Sequence, residues 1–289
     1  MLGYRLPKDA GPEALHRELA SLASGAHPLV AAIPEPMNEV VTQHLSAFRS
    51  LMPVDMELAG ASIGNLILTS GYLSLDRQLE PVVRVFSGMV QARGVVMPVA
   101  DSCAHLCVRL ENGEVIVGQH RFTGKTATAI TSPILDMWLS ASLDDPSPVS
   151  VPIQPRLAHV IRTADLICYP VGSFFSSVMA NLLPVGVSCA VREAAAQGFI
   201  PISARTRSFS GSRCRIRWLI CCASGPTAAR RGSRSTGFLW TRTSPRYPGG
   251  IPYEWLARLG IRVRKAHLVS EPPYLDAGLL CRELLGGWR

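Results

Sequence analysis

The sequence predicts an α/β fold with a mostly parallel sheet between two layers of helices, and three observations support this class. Residues 164–169 form a short apolar run, which predicts a strand buried on both faces. Apolar residues then recur at near-helical spacing over 174–183. Asn112-Gly113 joins two alternating segments, and this dipeptide accepts the positive φ of a hairpin turn. The sequence therefore predicts a three-layer α/β/α architecture with one β-hairpin.

The other elements follow from hydrophobic period and from start and stop signals. Pro12 lies near the first turn of the first predicted helix, Gly25 ends it, and its inner face carries Leu15, Leu19 and Leu22. Helices are predicted over 12–25, 37–52, 76–92, 156–163, 252–259 and 276–285, together with one that follows the small residues of 60–65 and runs to 73. Strands are predicted over 94–99, 105–110, 114–119, 186–191, 199–202 and 261–268.

The amino-acid composition limits which classes of protein are possible. The chain has 289 residues, of which 47% are hydrophobic, and this suits one large α/β domain or two small ones. No run reaches the roughly 18 apolar residues that a membrane helix needs. The first residues lack a basic-then-apolar signal pattern, so a cytoplasmic location is expected. The eight cysteines lie mostly in apolar runs and are expected to be buried thiols rather than a disulfide framework.

The positive charge belongs to one segment. Between Glu193 and Glu254 there are ten arginines, no lysine and no acidic residue. Because the whole chain has a net charge of +8, the residues outside this segment have a net charge of −2. Clustered arginines favour phosphates, which makes nucleic acid a conceivable partner. However, Arg217-Trp218 and Arg230-Arg231 lie among apolar and cysteine residues without a basic helical face. Nucleic acid is therefore ranked last among the partners.

Two stretches have features of binding sites, and one of them is suited to an anion. Gly172 and Ser173 follow the strand 164–169, and Ser173 lies where a helix N-cap is expected. A strand, a glycine turn and a capped helix direct free backbone N–H groups to the end of the strand, where an anion can bind. The alternative is an ordinary strand-to-helix connection, and Ser176 beside the turn favours phosphate. The small residues of 60–65 allow close backbone approach, by a neighbouring element or by a ligand.

Four stretches carry a family resemblance. They are SIGNLILTSGYL at 62–73, RGVVMPVADSCAHLCVRLENGEVIVGQ at 93–119, ADLICYPVGSFFSSVMANLLPVGV at 164–187 and RYPGG at 246–250. In this order and spacing the chain resembles the CofD-like family, which implies a Rossmann-like fold. For the 2-phospho-L-lactate transferase of this family, the resemblance implies movement of a phospholactyl-type group from a GDP-linked donor to a deazaflavin precursor of coenzyme F420. A sister branch of gluconeogenesis-factor proteins binds nucleotide sugars.

The resemblance also implies which residues bind a substrate or nucleotide. Gly64-Asn65 matches a family Gly-Asn-Leu at a helix start, and Gly172-Ser173 matches a Gly-Ser turn. The candidates at or beside matching positions are Ser62, Gly64, Asn65, Asp101, His105, Gly172, Ser173, Ser176 and Asn181. Three have structural alternatives, namely a helix cap for Asn65, a turn cap for Asp101 and a solvated strand position for His105. No catalytic residue or metal ligand is assigned, and Mg²⁺ is implied by the resemblance alone.

The implied function is a CofD-like transferase, impaired as translated, whose partner is a nucleotide-linked small molecule such as a GDP-type donor. The alternative is a non-enzymatic regulator that binds a nucleotide sugar such as a UDP-sugar. The sequence leaves open whether the chain is an enzyme. It predicts no membrane partner and allows a homodimer.

Two departures from the family pattern affect the domain assignment. The chain is predicted to be a single CofD-like domain over 1–289 that lacks the family's N-terminal glycine-rich strand and turn and a following Asp-Gly-Gly-Ser-Ser-like segment. The expectation is that Met1 is a late start. Residues 203–245 are rich in arginine where the family has an acidic helical segment. This difference suggests a compensated frameshift, and it predicts poor order in the segment.

Overall fold

A computed structural model describes residues 1–123, 130, 132–169, 174–194, 196–199, 235–241, 253–258, 261–271 and 274–286. The chain divides into two compact units, which we call the N-terminal unit (Met1–Asp101) and the C-terminal unit (Ser102–Arg289). Within the described part of the chain, no helix is long and apolar enough to cross a membrane.

The N-terminal unit is built from helices. They are α1 (Pro12–Ala23), α2 (Pro28–Ala31), α3 (Met37–Leu51), α4 (Ile63–Ser74) and α5 (Leu79–Met89). Helix α1 begins at Pro12, and Leu15, Leu19 and Leu22 are buried, which confirms the predicted inner face. Helix α5 starts three residues later than predicted, because Asp76 and Arg77 adopt left-handed backbone conformations.

The core of this unit lies between α1, α3 and α4. Leu19, Leu45, Ile63 and Ile67 are each at most 2% exposed and belong to one cluster. Leu6 joins the same cluster at 1% exposed, so the segment that precedes α1 is anchored by its own apolar side chain.

The predicted strand at 94–99 is wrong. No strand forms there, and Val95 and Val96 are 82% and 58% exposed. A β-branched run becomes a strand only when a neighbouring strand satisfies its backbone N–H and C=O groups, and the described residues give this segment no such pairing. Asp101 therefore follows an irregular segment rather than the end of a strand.

The C-terminal unit contains an antiparallel sheet of β1 (His105–Leu110), β2 (Val115–Val117) and β3 (Ile134–Ser140), in the order β2-β1-β3. The hairpin is confirmed, and Gly113 has a φ of +88° in its turn. Strand β3 was not predicted, because the apolar run that contains it lacks a clear alternation. It pairs with β1 along the whole of that strand, with Ser140 opposite His105 and Ile134 opposite Leu110.

A second sheet of this unit is parallel. Its described strands are β4 (Ile167–Tyr169), β5 (Ala196–Phe199), β6 (Ser235–Thr241) and β7 (Arg262–Ala266), in sequence order. A mixture of helices and strands is thus confirmed, but the described residues form one antiparallel and one parallel sheet rather than a single mostly parallel sheet. Strand β6 lies within the arginine-rich segment, and most of that segment falls outside the described residues.

The helices of the C-terminal unit are α6 (Gln119–Thr123), α7 (Pro155–Arg162), a π-helix (Phe174–Met179) that continues into α8 (Ala180–Leu182), α9 (Val187–Glu193), α10 (Tyr253–Arg258) and α11 (Ala277–Gly286). The strand predicted at 186–191 is wrong, because this stretch forms α9. Gly186 takes a φ of +99°, and Val187, Ala190 and Val191 are then buried at helical spacing. Asp276 caps α11, since its Oδ1 accepts a hydrogen bond from the Leu279 N–H at 2.9 Å.

The predicted burial of the thiols is wrong for four of the described cysteines. Cys107 is buried, whereas the others, none of which is in a disulfide, are exposed: Cys103, Cys168, Cys189 and Cys281. The centre of β4 is therefore not buried on both faces. With only three described residues at the edge of its sheet, β4 leaves Cys168 accessible.

The stability of the N-terminal unit is expected to fall in mild acid because of His44. Burial lowers the pKa of this imidazole, which lies beside Gly71 of α4. The unfolded chain, with an ordinary histidine pKa of about 6.5, takes up the proton first. The free energy of unfolding should therefore be constant above that pH and decrease as the pH falls toward the lowered pKa.

Urea unfolding between pH 5 and pH 8 measures this effect. His44→Gln should flatten the dependence, whereas the control His267→Gln, at an exposed position, should leave it unchanged. An unchanged slope in His44→Gln would assign the pH dependence to other groups.

Candidate functional site

The first turn of α4 carries three of the predicted ligand-binding residues, and the N-terminal segment lies against it. The Ile63 N–H donates to the Tyr4 carbonyl at 3.0 Å, and the Gly64 N–H donates to the Leu2 carbonyl at 3.1 Å. Arg5 forms an antiparallel bridge with Ser62. Two of the backbone donors that a helix start offers to an anion are therefore already occupied by the chain's own carbonyls.

Gly64 is required by this close approach. A Cβ at this position would lie 2.8 Å from the Leu2 carbonyl oxygen and 3.6 Å from Cζ of Phe86. Of the two explanations for the small residues of 60–65, the structure thus shows a neighbouring element. An anion could use the Ile63 and Gly64 amides only by displacing the N-terminal segment.

The other two residues of this turn differ in exposure. Ser62 occupies the N-cap position and is half-buried, but its side chain makes no capping hydrogen bond. Asn65 is exposed on the first turn, three residues after the N-cap, so it does not cap α4. Its amide is accessible to a ligand from solvent.

A polar cluster that the sequence did not predict fastens the N-terminal segment to α1. The Tyr4 hydroxyl donates a short hydrogen bond to Glu18 Oε1, which raises the pKa of Tyr4 together with burial and the Glu18 charge. His27 Nε2 lies 4.0 Å from the same carboxylate oxygen, and the His27 ring contacts the Tyr4 ring at 5.9 Å. No local pattern could reveal this cluster, because its members are far apart in sequence.

Removing the Tyr4 hydroxyl is expected to loosen the N-terminal segment. Tyr4→Phe keeps the ring but deletes the hydrogen bond to a carboxylate, so the free energy of unfolding should drop by about 1–2 kcal/mol. Chemical denaturation measures the loss, with Tyr274→Phe as control at a position that is 75% exposed. Equal effects of the two substitutions would show that the Tyr4–Glu18 contact contributes nothing to stability.

Asp101 and His105 lie in different units. Asp101 is an exposed residue at the end of the N-terminal unit. His105 is the first residue of β1, is half-buried and stands opposite Ser140. The expectation of a solvated strand position for His105 is thus met in part.

Ser176 and Asn181 lie on one continuous helical stretch. Ser176 is half-buried in the π-helix, and Asn181 is exposed in α8. The Asn181 Nδ2 donates to the Ser177 carbonyl at 2.6 Å, so this amide supports the junction between the two helices. π-Helical turns are frequent at functional sites. Gly172 and Ser173 lie outside the described residues, so the predicted anion turn stays a prediction.

The Mg²⁺ that the sequence resemblance implies stays a prediction. Among them, no group of three histidine, cysteine, aspartate or glutamate side chains is placed to hold a metal ion. Mg²⁺ is usually held by one or two carboxylates together with substrate phosphates and water.

Comparison with known proteins places the chain in a family. Residues 15–206, about two thirds of the chain, match the family described as 2-phospho-L-lactate transferase CofD. The chain belongs to the CofD family. This match spans the α4 turn, the hairpin, β4 and the π-helix, which lie in three of the four stretches that carried the sequence resemblance, whereas RYPGG at 246–250 lies outside the match.

Curated relatives of this CofD family member are gluconeogenesis factors. The putative gluconeogenesis factor of Thermotoga maritima is 26% identical over 138 residues, which are 48% of this chain and 40% of the relative. The gluconeogenesis factor of Bacillus subtilis is 31% identical over 127 residues, which are 44% of this chain and 36% of the relative. The chain thus spans about two fifths of the length of the curated relatives it matches.

A solved structure shares the fold. The crystal structure of a UPF0052 family member from Bacillus halodurans aligns with a TM-score of 0.60 and 19% identity, covering 96% of this chain and 88% of that one. At this identity the likeness concerns the fold alone.

Proposed function

We propose that this CofD family member binds a nucleotide-linked small molecule, namely a GDP-type donor or a UDP-sugar. The observation that carries the proposal is the family match over 15–206, which includes all of the predicted binding positions. The exposed amide of Asn65 is a described group that is suited to bond to a diphosphate or a sugar hydroxyl. A Rossmann-like arrangement of the sheets belongs to the same proposal.

The first form of this function is a transferase. It would move a phospholactyl-type group from the GDP-linked donor to a deazaflavin precursor of coenzyme F420, and the description of the family as 2-phospho-L-lactate transferase CofD supports the transferred group alone. Catalysis of such a transfer depends on positioning and on neutralising phosphate charge. The candidate binding residues would serve as positioning groups, and no step is assigned to magnesium.

The second form is a regulator that binds a nucleotide sugar without turning it over. The names of the curated relatives, which are gluconeogenesis factors, fit this form as well as the family description fits the transferase. Both forms share ligand binding, and they differ in whether a group leaves the nucleotide.

Measurements of ligand binding and of turnover distinguish the transferase from the regulator. Titration calorimetry with GDP and with UDP-N-acetylglucosamine, at matched salt, should give a heat of binding for one of them. Release of the guanosine nucleotide from a phospholactyl donor would identify the transferase, and binding without release would identify the regulator. No binding of either nucleotide would overturn the proposal.

Asn65→Ala offers a local test of the binding position. Loss of one hydrogen bond to the ligand should weaken affinity by about tenfold. The control Gln43→Ala removes another exposed amide, on α3, and should leave affinity unchanged. Equal affinities would remove Asn65 from the site.

A second copy of the chain is a further proposed partner, and we place the protein in the cytoplasm. Sedimentation equilibrium distinguishes a monomer of 31.2 kDa from a dimer of twice that mass.

A further inference from the structure

The N-terminal segment pairs with the residues that precede α4, and this pairing sorts the side chains into an inner and an outer face. The Leu6 N–H donates to the Ala61 carbonyl at 2.9 Å, and Leu6 and Ile63 are at most 1% exposed in the core cluster. Arg5 stands directly opposite Ser62 in an antiparallel bridge. Residues opposite one another share a face, and neighbours along a strand alternate. The Arg5 and Ser62 side chains therefore lie together on the outer face, away from the core.

Gly60 holds a second cation beside Arg5. The Arg5 Nη1 donates to the Gly60 carbonyl at 3.1 Å. A Cβ built on Gly60 would lie 3.2 Å from Cγ of Lys8, so the stem of Lys8 occupies the space that a side chain at residue 60 would need. Gly60 also has a φ of +69°, which glycine adopts without steric cost. One glycine thus positions both cations, through its carbonyl and through its missing side chain.

The charges of these two cations are not neutralised by the described residues. Among those residues, no carboxylate oxygen forms an ion pair within 4.0 Å of Arg5 or Lys8, and both side chains are exposed. The guanidinium has five N–H donors, of which the Gly60 carbonyl accepts one. The Ser62 hydroxyl makes no capping hydrogen bond to α4. The outer face therefore offers positive charge and hydrogen-bond donors to an anion from solvent.

We propose that Arg5, Lys8 and Ser62 form a phosphate-binding subsite for the nucleotide-linked ligand. The planar guanidinium of Arg5 binds two phosphate oxygens, Lys8 adds a point charge on a flexible stem, and Ser62 donates one hydrogen bond. The subsite uses side chains and none of the α4 amides that the N-terminal segment occupies. The sequence resemblance indicated Ser62 but neither cation. The inference deepens the proposed function, on which the nature of the ligand rests.

Titration calorimetry of the full chain with inorganic pyrophosphate tests the subsite apart from the nucleotide. Pyrophosphate should bind, and its Kd should rise with salt, because salt screens exposed charges. Arg5→Gln and Lys8→Gln should each weaken this affinity about tenfold, since each removes hydrogen bonds to a charged group. Arg49→Gln removes an exposed cation from the last turn of α3 and should leave the affinity unchanged.

Acetylation of the wild-type chain gives a second measurement that needs no variant. Pyrophosphate should protect Lys8 from acetic anhydride, whereas Lys265, an exposed lysine of β7, should stay reactive. The subsite would be overturned by a lack of pyrophosphate binding, by equal acetylation of Lys8 with and without pyrophosphate, or by wild-type affinity in Arg5→Gln or Lys8→Gln.

The same variants separate failure of the subsite from failure of the proposed function. If GDP or UDP-N-acetylglucosamine binds and neither Arg5→Gln nor Lys8→Gln weakens that binding, the subsite is overturned and the proposed function stands. If pyrophosphate binding depends on both cations and neither nucleotide binds, the subsite stands and the nucleotide-linked ligand is overturned.

Discussion

Replacing Gly64 with alanine is expected to lower the free energy of unfolding of the N-terminal unit by about 1–3 kcal/mol. The new Cβ would lie 2.8 Å from the Leu2 carbonyl oxygen. This neighbour is backbone, so it cannot rotate away as a flexible side chain could. Either the N-terminal segment shifts and the Gly64 N–H to Leu2 hydrogen bond is weakened, or α4 moves within its core. Urea unfolding followed by circular dichroism measures the loss.

A matched helical glycine separates this clash from helix propensity. Gly88 lies in α5, and a Cβ there would meet nothing within 4 Å. Gly88→Ala should therefore stabilise the protein by about 0.5–1 kcal/mol, since alanine is the better helix former. The two substitutions are expected to have opposite signs. A stabilising Gly64→Ala would mean that the N-terminal segment does not lie against α4 in solution.

Long periodic segments were the predictable part of the fold. Leu15, Leu19 and Leu22 repeat with the helical period over the whole of α1, and both its start and its end carry the expected residues. Such a helix is specified locally, and its burial needs only some apolar partner. The same holds for α3 and α11, whose bounds differ from the predicted ones by at most one residue.

Short apolar runs were not predictable in this way. The run at 94–99 has the composition of a strand, but a strand exists only when a distant segment pairs with it. Local sequence does not show whether that partner is available. Strand β3 illustrates the converse, since its pairing with β1 makes it a strand without a clear alternation.

The candidate site, like the fold, could be predicted from the sequence only where a local pattern specifies it. Small residues at 60–65 correctly indicated a close backbone approach at Gly64, because only glycine permits it there. The identity of the approaching group depends on a tertiary contact with Leu2, which no spacing in the sequence encodes. The Tyr4–Glu18–His27 cluster was missed for the same reason.

Placing a carboxylate at Ala190 is expected to have the largest effect of the substitutions considered. Ala190 is 1% exposed on the inner face of α9, beside the buried Val187 and Val191. Ala190→Asp would bury a charge among apolar side chains without a partner, so the loss of stability should be at least about 3 kcal/mol. Thermal unfolding of the purified protein, or its soluble yield, would show this loss.

Ser188→Asp is the control that distinguishes a helix from the strand that the sequence predicted. In a strand, residues 188 and 190 would share a face, and both substitutions would have similar effects. In α9, Ser188 is half-buried on the first turn, where a carboxylate is favoured by the helix dipole. Its substitution should therefore change stability by no more than about 0.5 kcal/mol. Similar losses of stability for the two variants would support the predicted strand at 186–191. A loss confined to Ala190→Asp would support the helix α9.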